Sequence, residues 1–491
     1  MKKYFTHLVN CGVIISLALL ILAVFPIAGT GKGLVGLEKT KTAEFTAIPL
    51  ASLDRSASTK DAYADADRDT VNRPSVKNIE RGDLPFIQMG KGMAMSAYKL
   101  LHNEPLKVAF LGGSITHMKG WRNLLMDYLT HSFPGTDFTF LDAGIPSLGS
   151  VPHAFRLQND VLNKIRPDLL FVEAAVNDEG NGTTKTEQLR ALEGIVRHAL
   201  SANSQMDIVL MAFADEVKNN FYAHGQVPVT VQMHEKVASY YQLPFINLAK
   251  EVYMGIHQGA FSWEKDFKSL HPAPFGQAMY FHAIRDLIEQ ALRLSNDAMT
   301  KKANKNLDIS VPVKLPKPMQ KYSYVYGMYV DVKFANHLNG FHYIDNWQPN
   351  DGARVRPGFV HVPVLVANRP GDELNLDFEG TAVGIAVASG PDAGAITYQI
   401  DGHPWQYMDL HTKWSANLHL PWYVILGDGL KDKKHRLVIK MTNRRPFSED
   451  KLANSHFVDR GAANKSAQQN QMGTVAAVRI VHFFVNDPHK K

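Results

Sequence analysis

The chain has 491 residues, of which 45% are hydrophobic and 20% are charged. This balance is typical of a globular protein and excludes a disordered or fibrous chain. The formal net charge is +6, but lysine and arginine are scattered and form no basic helix or arginine-rich arm, so the pattern disfavours nucleic-acid binding. The single cysteine, Cys11, excludes a disulfide framework within the chain.

The N-terminus has the layout of a secretory signal. Lys2 and Lys3 precede the uncharged apolar run VIISLALLILAVFPIAG. We therefore predict a signal peptide or an uncleaved signal anchor over residues 1–30. Either segment predicts that the protein is exported to the periplasm or the exterior. An uncleaved anchor would be its one expected contact with a membrane. Residues 31–84 are rich in Ala, Asp, Ser and Thr, which indicates a polar, poorly ordered linker.

Residues 85–295 alternate short apolar runs with longer segments of helical spacing. The strand-like runs are Lys107–Leu111, Phe138–Asp142, Asp168–Ala174, Asp207–Met211 and Pro244–Leu248. The clearest helical segments are Trp121–Ser132, Thr186–Ala202 and Val229–Tyr241. Short apolar strands that alternate with helices predict an α/β domain with a parallel sheet covered on both faces.

The pattern changes after a second predicted linker, residues 296–319. Residues 320–491 contain short alternating runs such as FVHVPVLVA and RLVIKMT, broken by Gly, Pro and Asp, and no long helix. This pattern predicts an all-β sandwich, an accessory domain that could contact carbohydrate. Its four tryptophans fit either core packing or platforms for sugar rings; they are Trp347, Trp405, Trp414 and Trp422.

Several chemically useful residues follow the predicted strands. In an open parallel sheet, ligands bind beyond the carboxyl ends of the strands. The first strand runs into Gly112, Gly113 and Ser114, and the third is followed by Asn177. The loop DAGIPSLGS follows the second strand, and His271 precedes the last helical segment. A serine nucleophile needs a neighbouring base, and attack on a carbonyl needs N–H donors for the developing oxyanion.

Together, GGSIT, the glycine-bearing loop, AVND and the late His-Pro resemble the ordered blocks of the SGNH hydrolases, the GDSL-type esterases. The resemblance covers roughly residues 100–295. It implies a flavodoxin-like three-layer α/β/α fold and a Ser–His hydrolase that needs no metal or other cofactor. By position, it makes Ser114 the nucleophile and His271 the base. The oxyanion donors would be Ser114, Asn177, and either Ser147 or Gly149.

One position departs from this family. The family usually places its supporting aspartate three residues before the histidine, but Lys268 stands there. A carboxylate at this point orients the imidazole and stabilises its cation. Asp266, five residues before His271, is the predicted substitute, and Glu264 or a backbone carbonyl remains an alternative.

These observations predict an exported serine ester hydrolase that removes acyl groups, such as acetyl, from a carbohydrate. Ser114, His271 and Asp266 would form its catalytic group. One alternative is a carbohydrate sulfate-ester hydrolase on the same scaffold, which the net positive charge and the displaced acidic residue favour. The other is a catalytically silent glycan-binding protein, which the altered acidic position favours. The expected partner is an esterified carbohydrate and not a nucleic acid.

Overall fold

The computed structural model describes residues 84–301, 315–444 and 476–490. The predicted signal, residues 1–30, and nearly all of the predicted polar linker, residues 31–84, lie outside these ranges. Within the described part of the chain, no helix combines the length and the apolar character needed to cross a membrane.

A six-stranded sheet organises the first part of the described chain. Its strands are β1 (Ile87–Gln88), β2 (Leu106–Gly112), β3 (Phe138–Gly144), β4 (Leu169–Glu173), β5 (Asp207–Met211) and β6 (Phe245–Ile246). Their spatial order is β1-β6-β5-β4-β2-β3, and every pairing is parallel except that of β1 with β6. Apart from the edge strand β1, this is the flavodoxin-like order that the resemblance implies.

Helices cover both faces of this sheet. They are α1 (Ala94–Leu101), α2 (Ser114–His117), α3 (Trp121–Ser132), α4 (Ser150–Leu157), α5 (Ala175–Asn181), α6 (Lys185–Ala202), α7 (Glu216–Ala223), α8 (Val229–Tyr241), α9 (Leu248–His257) and α10 (Pro274–Lys301). Successive side chains of β2 enter different cores: Ala109 and Leu111 join one buried cluster, Val108 and Phe110 the other. The predicted three-layer α/β/α architecture is therefore confirmed.

The sequence pattern places most element ends well, and one difference has a local cause. The predicted bounds of α3 and α8 coincide with those in the structure. The last predicted strand, Pro244–Leu248, is shorter and ends at Ile246. The Asn247 side chain accepts a hydrogen bond from Lys250 N at 3.0 Å, so Asn247 caps α9 and takes the chain out of the sheet.

The second part of the described chain is the predicted β-sandwich. Its strands are β7 (Gly327–Asp331), β8 (Asn336–Asn339), β9 (His342–Trp347), β10 (Arg354–Val355), β11 (Val362–Ala367), β12 (Glu373–Ser389), β13 (Ala395–Ile400), β14 (Gln406–Asp409), β15 (Leu418–Thr442) and β16 (Val478–Asn486). The main order is β14-β13-β15-β12-β16-β11-β9, and its pairings are antiparallel. The short strand β10 alone pairs in parallel, with β15.

The α/β domain and the sandwich share a hydrophobic core. Phe155 of α4 stacks on Phe484 of β16, with ring centroids 4.7 Å apart, and Tyr324 packs against the same ring of Phe155. The Arg190 guanidinium of α6 pairs with Asp428 of β15. This packing matters for function because it fixes where the loops of the sandwich meet the carboxyl edge of the parallel sheet.

Candidate active site

The candidate site lies where the sheet changes its winding direction. Strand β2 pairs with both β3 and β4, so the connections that leave β2 and β3 run to opposite sides. Such a switch point opens a crevice at the carboxyl ends of the strands. Ser114 begins α2 directly after β2, and Asn177 lies in the first turn of α5 after β4.

Ser114 and His271 meet at this crevice. Ser114 Oγ lies 2.7 Å from Nε2 of His271, within hydrogen-bond distance. Ser269 holds the backbone of His271, because its Oγ accepts from His271 N at 3.2 Å and donates to His271 O at 2.9 Å. Partial burial, followed by the positive charge of Arg356, lowers the pKa of His271. A neutral imidazole at neutral pH can accept the serine proton.

The structure corrects the predicted role of Asp266. The Asp266 carboxylate accepts from Ser262 N at 2.8 Å, across a π-helical turn over Trp263–Phe267. In the described residues, no hydrogen bond or ion pair joins any carboxylate to His271, which also leaves out Glu264. The tight turn explains the difference, because it folds Asp266 back onto the residue that caps it. The arrangement is a Ser–His pair without an acidic third member.

The Asn177 side chain lies against the backbone just before Ser114, and it fits there because Gly113 has no Cβ. A Cβ at position 113 would lie 2.0 Å from Asn177 Oδ1. Asn177 lines the same cleft as Ser114 and His271, and its amide makes no hydrogen bond to the described residues. It is therefore available to a ligand.

Of the two candidate positions in the glycine-bearing loop, Ser147 lines the cleft. Its φ of 75° lies in the left-handed region, which is unusual for serine. Two hydrogen bonds hold this conformation: Ser147 Oγ accepts from Arg356 Nη1 at 2.7 Å, and Ser147 O accepts from Asn181 Nδ2 at 2.9 Å. Gly149 instead approaches Asp178, since a Cβ there would lie 2.3 Å from Asp178 Oδ1.

Fully buried Arg156 forms hydrogen bonds to the ends of β2 and β3, the two strands that lead into the site. Its guanidinium donates to the carbonyl of Gly112 at 3.3 Å and to that of Ala143, and it pairs with Asp160 at 3.0 Å.

Two buried carboxyl groups lie at α5: Glu173 ends the strand before this helix, and Asp178 is within it. Glu173 accepts from Val176 N at 3.2 Å, and Asp178 accepts from Ser150 N at 2.9 Å. Burial raises the pKa of each to about 7. The nearby Lys218 ammonium, itself buried and paired with Asp215, lowers both values but does not outweigh the burial. These contacts anchor the helix that carries Asn177.

The sandwich contributes one wall of the cleft. The cleft has a volume of about 230 Å³, and Arg356, Lys413 and Trp414 line it together with Ser114 and His271. No motif in the sequence singled out Arg356 or Lys413. The tryptophans divide between the two expected roles: Trp347 is buried and Trp422 packs against the sandwich core, whereas Trp405 and Trp414 are exposed and only Trp414 lines this cleft.

One group in the described residues has the spacing of a metal site, and it belongs to the sandwich. Ligand atoms of Asp351, Asp392 and His419 all lie within 4.8 Å of one another. However, the Arg479 guanidinium already pairs with Asp392, and His419 Nε2 lies 2.7 Å from Asp351. Arg479 thus already balances the charge of Asp392, and His419 already bonds to Asp351.

Comparison with known proteins identifies the family of the α/β domain. Residues 110–279 match the GDSL-like lipase/acylhydrolase family, so this part of the chain is a GDSL-like domain and the chain is an ester-bond hydrolase. A sequence search of curated proteins gives no match.

Two solved structures resemble most of the chain. Both are crystal structures of a two-domain esterase (CEX) active on acetylated mannans, and one was co-crystallized with mannopentaose. The mannopentaose structure is 19% identical and covers 80% of this chain and 93% of its own, with a TM-score of 0.61. The other is 18% identical and covers 80% and 94%, with the same TM-score. The two-domain fold is therefore shared.

Proposed function

We propose that this GDSL-like acylhydrolase is an exported serine esterase that removes acetyl groups from a carbohydrate, with Ser114 and His271 as its catalytic pair. The contact of 2.7 Å between Ser114 Oγ and His271 Nε2 carries the proposal. The exposed ring of Trp414 at the cleft supports a sugar substrate. The fold shared with an esterase active on acetylated mannans adds to that support. The apolar N-terminal run supports export.

In this mechanism, Ser114 Oγ attacks the acetyl carbonyl while His271 Nε2 takes the hydroxyl proton. The backbone N–H groups of Ser114 and Ser147 and the Asn177 amide donate to the oxyanion. His271 then returns the proton to the departing sugar hydroxyl. Water then attacks the acetyl-enzyme with His271 again as base, and His271 passes that proton to Ser114 Oγ as acetate leaves.

Product analysis tests this function against the sulfate-ester alternative. The purified protein would be incubated with acetylated manno-oligosaccharides and with sulfated sugars of matched chain length. We expect acetate to be released and sulfate to be retained. Release of sulfate alone would reject the acetyl-ester proposal, and release of neither would favour the glycan-binding alternative.

We expect Asp266→Asn to lower kcat for p-nitrophenyl acetate by less than about tenfold. Loss of the triad aspartate lowers kcat by about 10⁴-fold in a serine protease whose histidine depends on that carboxylate. Asp266 makes no contact with His271, and asparagine can still accept the hydrogen bond from Ser262 N. A loss of 10³-fold or more, with unchanged thermal unfolding, would restore Asp266 to the catalytic group.

The pH dependence of kcat/KM should report the cation beside His271. Only neutral imidazole accepts the serine proton, so activity falls as pH drops through the pKa of His271. Because burial and Arg356 lower that pKa, we expect the midpoint of this loss below pH 6.5. Arg356→Met should move the midpoint to higher pH, and Arg356→Lys should move it less. A profile that does not respond to Arg356→Met would exclude this electrostatic coupling.

A further inference from the structure

Two cations line the cleft without a carboxylate partner. In the described residues, no Asp or Glu oxygen lies within 4.0 Å of the charged nitrogens of Arg356 or Lys413. The Arg356 guanidinium is half-buried and donates to the neutral hydroxyl of Ser147. Lys413 Nζ lies 4.7 Å from the ring centroid of Trp414. These contacts orient the two side chains but leave their charges unbalanced.

Three other arginines of the sandwich do have a carboxylate partner. Arg479 pairs with Asp392, Arg436 pairs with Asp377 at 2.7 Å, and Arg444 pairs with Asp409 at 3.1 Å. Removal of a guanidinium from water costs free energy unless an anion compensates for it. Burial accordingly lowers the pKa of Arg356, which nevertheless stays protonated. Arg356 therefore bears a cost that a bound anion would offset.

The acidic residues of the cleft do not supply that anion. Asp215 lines the cleft, but its carboxylate pairs with fully buried Lys218. Glu179 also lines the cleft, and Thr230 Oγ1 donates to it at 3.2 Å. Arg356 and Lys413 thus outnumber the one unpaired carboxylate, and the cleft presents net positive charge to a substrate.

We propose that the cleft binds an acetylated acidic polysaccharide, with the carboxylate of a uronic acid residue next to the acetylated sugar held by Arg356 and Lys413. This inference rests on the proposed esterase function and adds the substrate class. The planar guanidinium fork matches a carboxylate, and Trp414 offers an apolar ring beside it for a sugar face. A sulfate group would meet the same two cations, so the experiment separates the two anions.

The test compares acetylated oligosaccharides of one length in three forms: with a free uronate, with its neutral methyl ester, and with a sulfate in its place. p-Nitrophenyl acetate serves as the neutral reporter of the esterase function itself. We expect kcat/KM to be about tenfold or more higher for the uronate than for its methyl ester, and this ratio should shrink as salt increases. A higher kcat/KM for the sulfated form than for the uronate would overturn the carboxylate assignment.

Substitutions test whether Lys413 and Arg356 cause the preference for the uronate. Lys413→Met should lower the uronate-to-methyl-ester ratio several-fold, because it removes one of the two cations at the cleft. The ratio compares two substrates on one variant, so a general change in turnover, measured with p-nitrophenyl acetate, does not affect it. Arg356→Met should lower the ratio further. Arg354→Met is the matched control, since it removes an equal charge two residues away, outside the cleft, and should retain the wild-type ratio.

The inference and the esterase proposal fail in different ways. A wild-type ratio near one, with normal p-nitrophenyl acetate turnover, would overturn the inference and leave the esterase intact. If the protein hydrolyses no acetyl ester, calorimetric titration with the uronate oligosaccharide still tests the inference. Binding that is lost in Lys413→Met would then support it, and the absence of binding would overturn it.

Discussion

Ser114→Ala should lower kcat for p-nitrophenyl acetate by about 10⁴-fold to 10⁶-fold, as loss of the nucleophile does in a serine hydrolase. The substitution removes the oxygen that lies 2.7 Å from His271 Nε2 and leaves the backbone N–H of residue 114 in place. Residual activity would come from the oxyanion donors and from binding. Initial rates at saturating ester measure the loss, and Ser201→Ala, an exposed serine far along the chain, is the control that should retain full activity.

A double variant makes this test more demanding. His271→Gln alone should produce a loss similar to that of Ser114→Ala, because a serine hydroxyl is a poor nucleophile without its base. Residues that act as one unit are not additive, so Ser114→Ala combined with His271→Gln should be no worse than either single variant. Losses that multiply would show that the two residues act separately and would contradict the proposed pair. Equal melting temperatures of all variants would exclude unfolding as the cause.

The residues that the sequence predicted well are those whose position depends on strand ends. Ser114 and Asn177 could be placed because parallel strands present their carboxyl ends at one edge, whatever the helices between them do. The Asp266 prediction failed because it depended on side-chain direction within a short segment. Five residues of separation from His271 fit several turn conformations, and the π-helical turn sends the carboxylate to Ser262.

The wall that the sandwich contributes could not be predicted from the sequence. Arg356 and Trp414 lie far along the chain from Ser114, and they reach the cleft only because two domains pack together. That packing depends on interdomain contacts such as Phe155 against Phe484, which no local pattern encodes. The partners of buried Arg156 could not be predicted either, because two of them are backbone carbonyls at strand ends and the third is Asp160.

Glycine at position 113 leaves room for the Asn177 side chain, whose amide is a proposed donor to the oxyanion. The φ of Gly113, −90°, lies outside the left-handed region, and the described atom nearest to an added Cβ is the Asn177 oxygen at 2.0 Å. Since that oxygen ends a side chain, the expected response to Gly113→Ala is a displaced Asn177 amide in a folded protein. The loss of one oxyanion donor typically costs about 10²–10³-fold in kcat.

We therefore expect Gly113→Ala and Asn177→Ala to lower kcat for p-nitrophenyl acetate by the same factor, about 10²–10³-fold, with little change in KM. Their combination should lose no more than either alone, because each removes the same donor. Gly180→Ala is the matched control: it adds one methyl group to α5 at the same cleft, where no described atom lies within 4 Å of it, and should leave kcat for this small ester unchanged. Full activity in Asn177→Ala would remove this amide from the oxyanion site. Full activity in Gly113→Ala, with a strong loss in Asn177→Ala, would instead show that the amide keeps its position beside an added methyl group.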